Sequence, residues 1–196
     1  YLAKKIGLPI NKFIVATNQN DILYRAISKG AYNIEKVSET ISPSMDIQIA
    51  SNFERLIYDL NDQSDVKTIE AMKSIKEKGK YTIDKASLDK INVDFLSSRM
   101  GEDDVLNTIK TVYEKFNILL DPHSAIGYGA FDKVNLKGNN VVLATAHPCK
   151  FPDAIEKAIN LKAELPKELA FILDEKENYD IIENNLDKIK QHIKER

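Results

Sequence analysis

The stretch Lys12-Phe13-Ile14-Val15-Ala16-Thr17-Asn18-Gln19-Asn20-Asp21 decides the fold. Its first six residues are mostly apolar, which predicts a short buried strand. The polar residues from Asn18 to Asp21 predict a turn that caps a following helix, and Gly30 is the residue at which we expect that helix to end. The sequence therefore predicts a strand, a loop and a helix in succession.

A second apolar run, Val141-Val142-Leu143-Ala144, leads into Thr145-Ala146-His147-Pro148 and predicts a second buried strand. Strands that alternate with helices favour an α/β fold, with an open sheet and flanking helices in three layers. Ligands of such sheets bind beyond the carboxyl ends of the strands. The polar residues that follow both strands are therefore well placed for a site, although turn formation or helix capping explains such residues more often.

Two further segments carry apolar residues at three- and four-residue spacing, which predicts helices with one buried face. These residues are Ile49, Phe53, Leu56, Ile57 and Leu60 in the first segment, and Val105, Ile109, Val112 and Phe116 in the second. Burial in a core explains such stripes better than a binding surface does. The remaining helices are predicted over Ser64 to Gly79, from about Pro152, and along Ile182, Leu186, Ile189 and Ile193. Tyr81 to Met100 follows no clear pattern.

The composition is that of an ordinary globular protein, with 43% hydrophobic and 30% charged residues and a net charge of -2. This charge creates no broad field that would attract nucleic acid or a membrane surface, so neither partner is expected. One cysteine, Cys149, and three histidines without zinc-site spacing predict neither disulfides nor a metal site. A chain with one cysteine suits a reducing compartment, so we expect a cytoplasmic protein. No apolar run is long enough to span a bilayer.

The chain opens on Tyr1 rather than on methionine, and residues 1–7 have the pattern of a helix end stopped by glycine. We therefore expect a piece of a longer protein.

Three segments resemble the threonine synthase family. They are Ile41-Ser42-Pro43-Ser44-Met45-Asp46-Ile47 with Ser51 to Leu56, Asp121-Pro122-His123-Ser124-Ala125, and Ala144-Thr145-Ala146-His147-Pro148-Cys149-Lys150-Phe151. The likeness covers residues 1–158 as a family-like α/β region, and residues 159–196 are expected to form carboxyl-terminal helices. The resemblance implies that residues 1–196 are one carboxyl-terminal portion of a larger enzyme, in the large domain of a fold type II pyridoxal-phosphate enzyme.

The family converts O-phospho-L-homoserine and water into L-threonine and phosphate in threonine biosynthesis, as a carbon–oxygen lyase that uses pyridoxal 5'-phosphate. Its Schiff-base lysine and its glycine- and asparagine-rich phosphate loop lie in upstream segments that have no counterpart here. The resemblance therefore implies that the missing amino-terminal portion is a partner of this chain. It also implies that residues 1–196 contain no catalytic residue, and that the chain alone is inactive.

Thr145 matches the family position whose hydroxyl meets the pyridine nitrogen of the cofactor, and it is the predicted cofactor-binding residue. Weaker substrate-binding candidates are His147, at a predicted strand end, and Lys150 and Arg99, whose charges suit a phosphate. Asn18, Asn20 and Asp46 complete the weaker candidates, since they lie in family-like segments.

Two departures from the family pattern are conservative. Ser124 replaces the usual threonine and keeps the hydroxyl, and Cys149 replaces a small alanine. Another pyridoxal-phosphate enzyme, such as a threonine dehydratase or a cysteine synthase, is less well supported by the motifs. A non-catalytic interaction or dimerisation module derived from such an enzyme is the alternative from a different class. A nucleotide-binding domain is disfavoured, because Gly127-Tyr128-Gly129 lacks a third glycine.

Overall fold

The computed structural model describes residues 1–195, and the predicted helical end at Arg196 lies outside them. It contains two compact units, Tyr1–Ala163 and a second that begins at Glu164. The boundary predicted after residue 158 remains a prediction.

The first unit is built on two parallel strands. After a short helix α1 (Leu2–Lys5), strand β1 (Phe13–Thr17) lies beside β4 (Phe95–Arg99), with Phe13 opposite Phe95 and Thr17 opposite Arg99. Helix α2 (Ile22–Lys29) follows β1, so the predicted strand, loop and helix are confirmed.

Gly30 ends α2 in the left-handed conformation, with φ of 69°. A Cβ at this position would lie 2.8 Å from the carbonyl oxygen of Ile83, so only glycine fits without a shift of the backbone. The predicted helix end is confirmed.

A long connection joins β1 to β4. After α2 it contains a small antiparallel sheet, formed by β2 (Ala31–Asn33) and β3 (Lys80–Thr82), and three further helices, α3 (Phe53–Leu60), α4 (Asp65–Lys78) and α5 (Lys85–Asp94). The charged helix predicted over Ser64 to Gly79 is α4, whose ends are the N-cap Ser64 and the left-handed Gly79. The segment without a clear pattern forms most of β3, α5 and β4.

The parallel strands have a hydrophobic core on each face. Phe13 and Val15 pack against the first core, and Ala16 packs against the second, because neighbouring residues of a strand face opposite sides. The second core lies among α6 (Glu102–Phe116), α7 (Pro122–Val134) and α8 (Pro152–Ile159). The chain thus has the mixed α/β architecture that was predicted.

The two predicted apolar stripes are mostly confirmed. Phe53, Ile57, Val105, Ile109 and Val112 are buried, and Leu56 and Leu60 pack against the first core. The ends of the stripes differ, since Ile49 precedes α3 and is 59% exposed, and Phe116 at the end of α6 is 48% exposed.

The strand predicted at Val141–Ala144 is wrong. After the left-handed Asn135 ends α7, the chain is irregular up to the 3₁₀ turn Pro148–Lys150, and Val141 and Leu143 are 87% and 74% exposed. A strand requires a neighbour that pairs with its N–H and C=O groups, and within residues 1–195 no strand pairs with this run. Apolar character alone therefore misled the prediction.

The second unit contains a 3₁₀ helix, Lys167–Asp174, and a final helix α9 (Leu186–Glu195). No described residue of either helix is buried. Leu186, Ile189 and Ile193 lie in α9 as predicted, whereas Ile182 precedes it.

Candidate functional site

A buried carboxylate at the start of α7 is the centre of the candidate site. Asp121, which is 1% exposed, accepts hydrogen bonds from the backbone N–H groups of His123 and Ser124, at 2.9 and 3.3 Å. The Ser124 hydroxyl and the His123 Nδ1 also contact it, the latter at 2.9 Å. Pro122 holds the first helical position, where no N–H is needed. One side chain thus caps the helix and binds two neighbouring side chains.

Thr145 is tied to this helix end through its backbone. Its N–H donates to Oγ of Ser124 at 3.0 Å, and its own side chain is exposed. The backbone at Thr145 is therefore held on the first turn of α7, and its hydroxyl remains accessible to a ligand.

His123 extends the contacts to a third segment. A carboxylate only accepts hydrogen bonds, so Nδ1 donates to Asp121, and Nε2 is left to accept the backbone N–H of Ser44 at 3.2 Å. This is the neutral ring with its proton on Nδ1. The imidazole lies 4.7 Å from the ring of Phe151, between centroids. Hydrogen bonds thus join residues near 44, 121–124 and 145.

Three of the weaker candidates, Asn18, Asn20 and Asp46, form one network at the carboxyl end of β1. Oδ1 of Asp46 accepts from the side-chain amides of Asn18 and Asn20, at 2.7 and 2.9 Å, and from the hydroxyl of Thr40 at 2.7 Å. Its Oδ2 accepts the Thr40 N–H at 2.8 Å. The Asn18 amide also lies 2.9 Å from Oγ of Ser42, one residue before the 3₁₀ turn that contains Ser44. These bonds hold the segment after β2 against β1.

Arg99, at the end of β4, borders an open polar cleft of about 720 Å³. Its Nη1 donates to Oδ2 of Asp21 at 2.8 Å, and Arg25 Nε donates to the other oxygen at 2.7 Å. Burial opposes the charge of Asp21, but the bonds and charges of both arginines outweigh it and lower the pKa of Asp21 below its usual 3.8. Lys29 and Lys133 also line the cleft.

His147 and Lys150 lie together in an exposed turn. Nδ1 of His147 accepts the N–H of Cys149 at 3.2 Å, and the His147 carbonyl accepts the N–H of Lys150 at 3.1 Å. Within residues 1–195, no hydrogen bond joins either side chain to Thr145 or to the network around Asp46. His147 thus caps the turn Pro148–Lys150, and Cys149 is partly buried.

Sequence reasoning gave no role to Asp121, His123, Thr40 or Ser42. A signal for Asp121 was present, because an aspartate directly before proline, with a serine three residues on, is typical of a helix N-cap. The contacts from His123 to Ser44 and from Ser124 to Thr145 span 79 and 21 residues, and local patterns carry no information about them.

Residues 1–195 contain no group of three or more histidine, cysteine, aspartate or glutamate side chains placed to hold a metal ion. Over the same range, every helix is too short or too polar to cross a membrane.

Comparison with solved structures places the fold. The chain matches the pyridoxal-phosphate-bound threonine synthase of Brucella melitensis with a TM-score of 0.90 and 40% identity, over 100% of this chain and 42% of that one. It matches yeast threonine synthase with a TM-score of 0.85 and 36% identity, over 100% of this chain and 44% of that one. The fold is therefore that of part of a fold type II pyridoxal-phosphate enzyme.

Sequence comparisons point to the same family as the structural comparisons. The family model described as "Threonine synthase, C-terminal" matches residues 124–193. The chain is 38% identical to the threonine synthase of Pseudomonas aeruginosa, over 98% of this chain and 42% of that protein. It is 37% identical to the threonine synthase of Saccharomyces cerevisiae, over 100% of this chain and 43% of that protein. The chain corresponds to the carboxyl-terminal part of threonine synthase, and it spans about two fifths of the length of the curated relatives it matches.

Proposed function

We propose that this chain forms the Thr145 side of the cofactor site of a threonine synthase that converts O-phospho-L-homoserine and water into L-threonine and phosphate. The observation that carries the proposal is the anchoring of Thr145 on α7 through Ser124, with an exposed side chain. The relatives name the reaction class, and the Brucella melitensis structure is described as bound to pyridoxal phosphate.

The residues present fit this cofactor on chemical grounds. A pyridine nitrogen accepts a hydrogen bond, and a threonine hydroxyl donates one without carrying charge. A carboxylate at the same place would favour a protonated ring nitrogen, so the hydroxyl keeps that nitrogen largely neutral. Bound pyridoxal phosphate supplies the electron sink that removal of protons from carbon requires.

The proposed role of the chain is to orient rather than to react. Thr145 would donate a hydrogen bond to the ring nitrogen, and the segments held by Ser44 and Asn18 would adjoin the cofactor. Arg99 and Lys150 remain candidates for binding the phosphate of the substrate, and His147 remains a candidate for lining its pocket. The lysine that anchors the cofactor and the loop that binds its phosphate would come from the amino-terminal portion. The proposed location of the enzyme is the cytoplasm.

The test uses the whole product of the gene that encodes this chain. Thr145→Ala removes the donor to the ring nitrogen, and loss of one hydrogen bond weakens cofactor retention by roughly two- to tenfold. Thr145→Ser keeps the hydroxyl and is expected to retain the cofactor. Thr111→Ala removes a threonine from the exposed surface of α6 and serves as the matched control. Cofactor dissociation is followed by absorbance, and threonine formation is measured in parallel. Equal retention by the alanine and wild-type proteins would exclude Thr145 from the site.

The isolated 196-residue chain is expected to form no threonine from O-phospho-L-homoserine, since it contains no counterpart of the anchoring lysine segment. Turnover above a control without enzyme would contradict this. The coding sequence upstream of Tyr1 distinguishes the alternatives: a lysine segment and a phosphate loop support the enzyme, and a gene that starts near Tyr1 supports the interaction module.

A further inference from the structure

The four groups that contact Asp121 come from its own helix end, but their effect reaches two other segments. The Ser124 hydroxyl that donates to Asp121 also accepts the N–H of Thr145. The His123 ring that donates to Asp121 also accepts the N–H of Ser44. Asp121 is therefore the common origin of two hydrogen-bond chains, and each chain ends on the backbone of a different segment.

The direction of the protons in both chains depends on Asp121. A carboxylate has no proton to donate, so the Ser124 hydroxyl points its hydrogen toward Asp121 and turns its lone pairs toward Thr145. For the same reason His123 carries its proton on Nδ1, which frees Nε2 to accept from Ser44. Within residues 1–195, His123 is the only ionisable side chain within ion-pair distance of Asp121.

The geometry points to Asp121 as a positioning residue that fixes the backbone of Thr145 and of Ser44 around the cofactor ring. The inference rests on the proposed function, because it assigns a purpose to the placement of Thr145. It goes further by giving a carboxylate that is only 1% exposed, and that therefore presents almost no surface to a ligand, control over the placement of the Thr145 and Ser44 backbones.

Asp121→Asn is the informative substitution, because the amide has nearly the same shape as the carboxylate but only one accepting oxygen. If its NH₂ faces Ser124, the backbone N–H of Ser124 loses its acceptor and the hydroxyl must turn its proton elsewhere. If its NH₂ faces His123, the ring must move its proton to Nε2, which then opposes the N–H of Ser44. Either orientation disturbs at least one chain.

Asp84→Asn provides a matched control. Asp84 caps α5, and its carboxylate accepts from the backbone N–H and the hydroxyl of Ser87, at 3.0 and 2.7 Å. This repeats the arrangement of Asp121 and Ser124 at an exposed position, with no third segment attached. A general effect of weakening a helix cap appears in both variants, whereas an effect on positioning appears only in Asp121→Asn.

The experiment uses the whole gene product labelled with ¹⁵N-histidine and ¹⁵N-threonine, and the Thr145 signal is assigned by its loss in Thr145→Ser. In Asp121→Asn we expect either a changed proton position on His123 or faster hydrogen exchange at Thr145, by roughly two- to tenfold. We also expect cofactor dissociation to rise by a similar factor, at a temperature where circular dichroism shows all variants to be folded. Asp84→Asn is expected to change none of these.

Ser124 variants keep the inference testable if Asp121→Asn fails to fold. Ser124→Ala removes the acceptor of the Thr145 N–H and leaves the His123 to Ser44 bond intact, so only the Thr145 signal and cofactor retention are expected to change. Ser124→Thr, which keeps the hydroxyl, is expected to restore both.

Unchanged Thr145 and His123 signals in Asp121→Asn would overturn the inference, as would an unchanged Thr145 signal in Ser124→Ala. Changed signals with cofactor retention equal to that of Asp84→Asn would also overturn it, since the bonds would then be structural only. A wild-type protein that does not bind pyridoxal phosphate would instead refute the proposed function. The Thr145 backbone signal and the His123 ring signal would still decide whether Asp121 controls both hydrogen-bond chains.

Discussion

Gly129 gives a sharp test of packing in the second core. It lies inside α7, and a Cβ at this position would be 2.4 Å from both Cε and Sδ of Met100 and 3.2 Å from Oγ1 of Thr108. Met100 is only 2% exposed, so its side chain has no solvent to move into. Gly129→Ala must therefore displace Met100 within the core.

The change that Gly129→Ala causes in the free energy of unfolding follows from two opposing effects. Alanine in place of glycine inside a helix stabilises by about 1 kcal/mol, and overpacking a core costs about 1–3 kcal/mol. Gly127→Ala has the same helix gain, but its Cβ would approach only Cγ1 of Val142, at 3.3 Å, in an irregular and partly exposed segment that can yield. We therefore expect Gly129→Ala to be less stable than Gly127→Ala by about 1–3 kcal/mol.

Urea unfolding of the two variants, followed by circular dichroism, measures this difference. A double variant with Met100→Ala isolates the cause, because the shorter side chain makes room for the new methyl group. Met100→Ala costs about 2–5 kcal/mol by itself, but in that background Gly129→Ala should stabilise the protein. Equal stability of Gly127→Ala and Gly129→Ala, or an unchanged effect of Gly129→Ala in the Met100→Ala background, would refute the reasoning.

Two other predictions concern buried polar groups. Tyr32→Phe removes the acceptor of the buried Ala50 N–H, which now donates to the Tyr32 hydroxyl at 2.8 Å, and should lower the free energy of unfolding in urea by about 1–3 kcal/mol. Asp21→Asn should cost about 2 kcal/mol near pH 7, because Asp21 accepts charged hydrogen bonds from Arg25 and Arg99. Since the folded pKa of Asp21 is lowered below 3.8, its contribution is present above that pH and disappears as the pH falls through the folded pKa. A difference between wild-type and Asp21→Asn proteins that persists unchanged in acid urea titrations would contradict this assignment.

The elements that the sequence predicted well are those whose signals are local. Helix α2 has a polar turn before it and Gly30 after it, and α4 has Ser64 and Gly79 at its ends, so start and stop were both visible. The run at Val141 failed for the opposite reason. Whether an apolar segment becomes a strand depends on a pairing partner elsewhere, and no property of the four residues reports one.

The residues of the candidate site likewise fall into those that a local sequence signal identified and those that only long-range packing brings together. Thr145 was found through a motif, and its exposed side chain agrees with a role toward a ligand, although that role remains a proposal. Asn18, Asn20 and Asp46 were selected separately, and only the structure shows that one carboxylate binds both amides. The links through His123 and Ser124 depend on long-range packing of α7, which periodicity cannot reveal.

The exposed run Val141 to Ala144 also affects how the chain behaves in solution. Within residues 1–195 no strand pairs with this run, so its backbone N–H and C=O groups are a template to which another extended segment can add. Its exposed apolar side chains add to this tendency, and association between molecules is favoured as concentration rises. A lysine in place of Val141 or Leu143 would oppose this association by placing a charge in the apolar run. The same four residues that fail to form a strand here are thus an expected source of aggregation when the isolated chain is purified and concentrated.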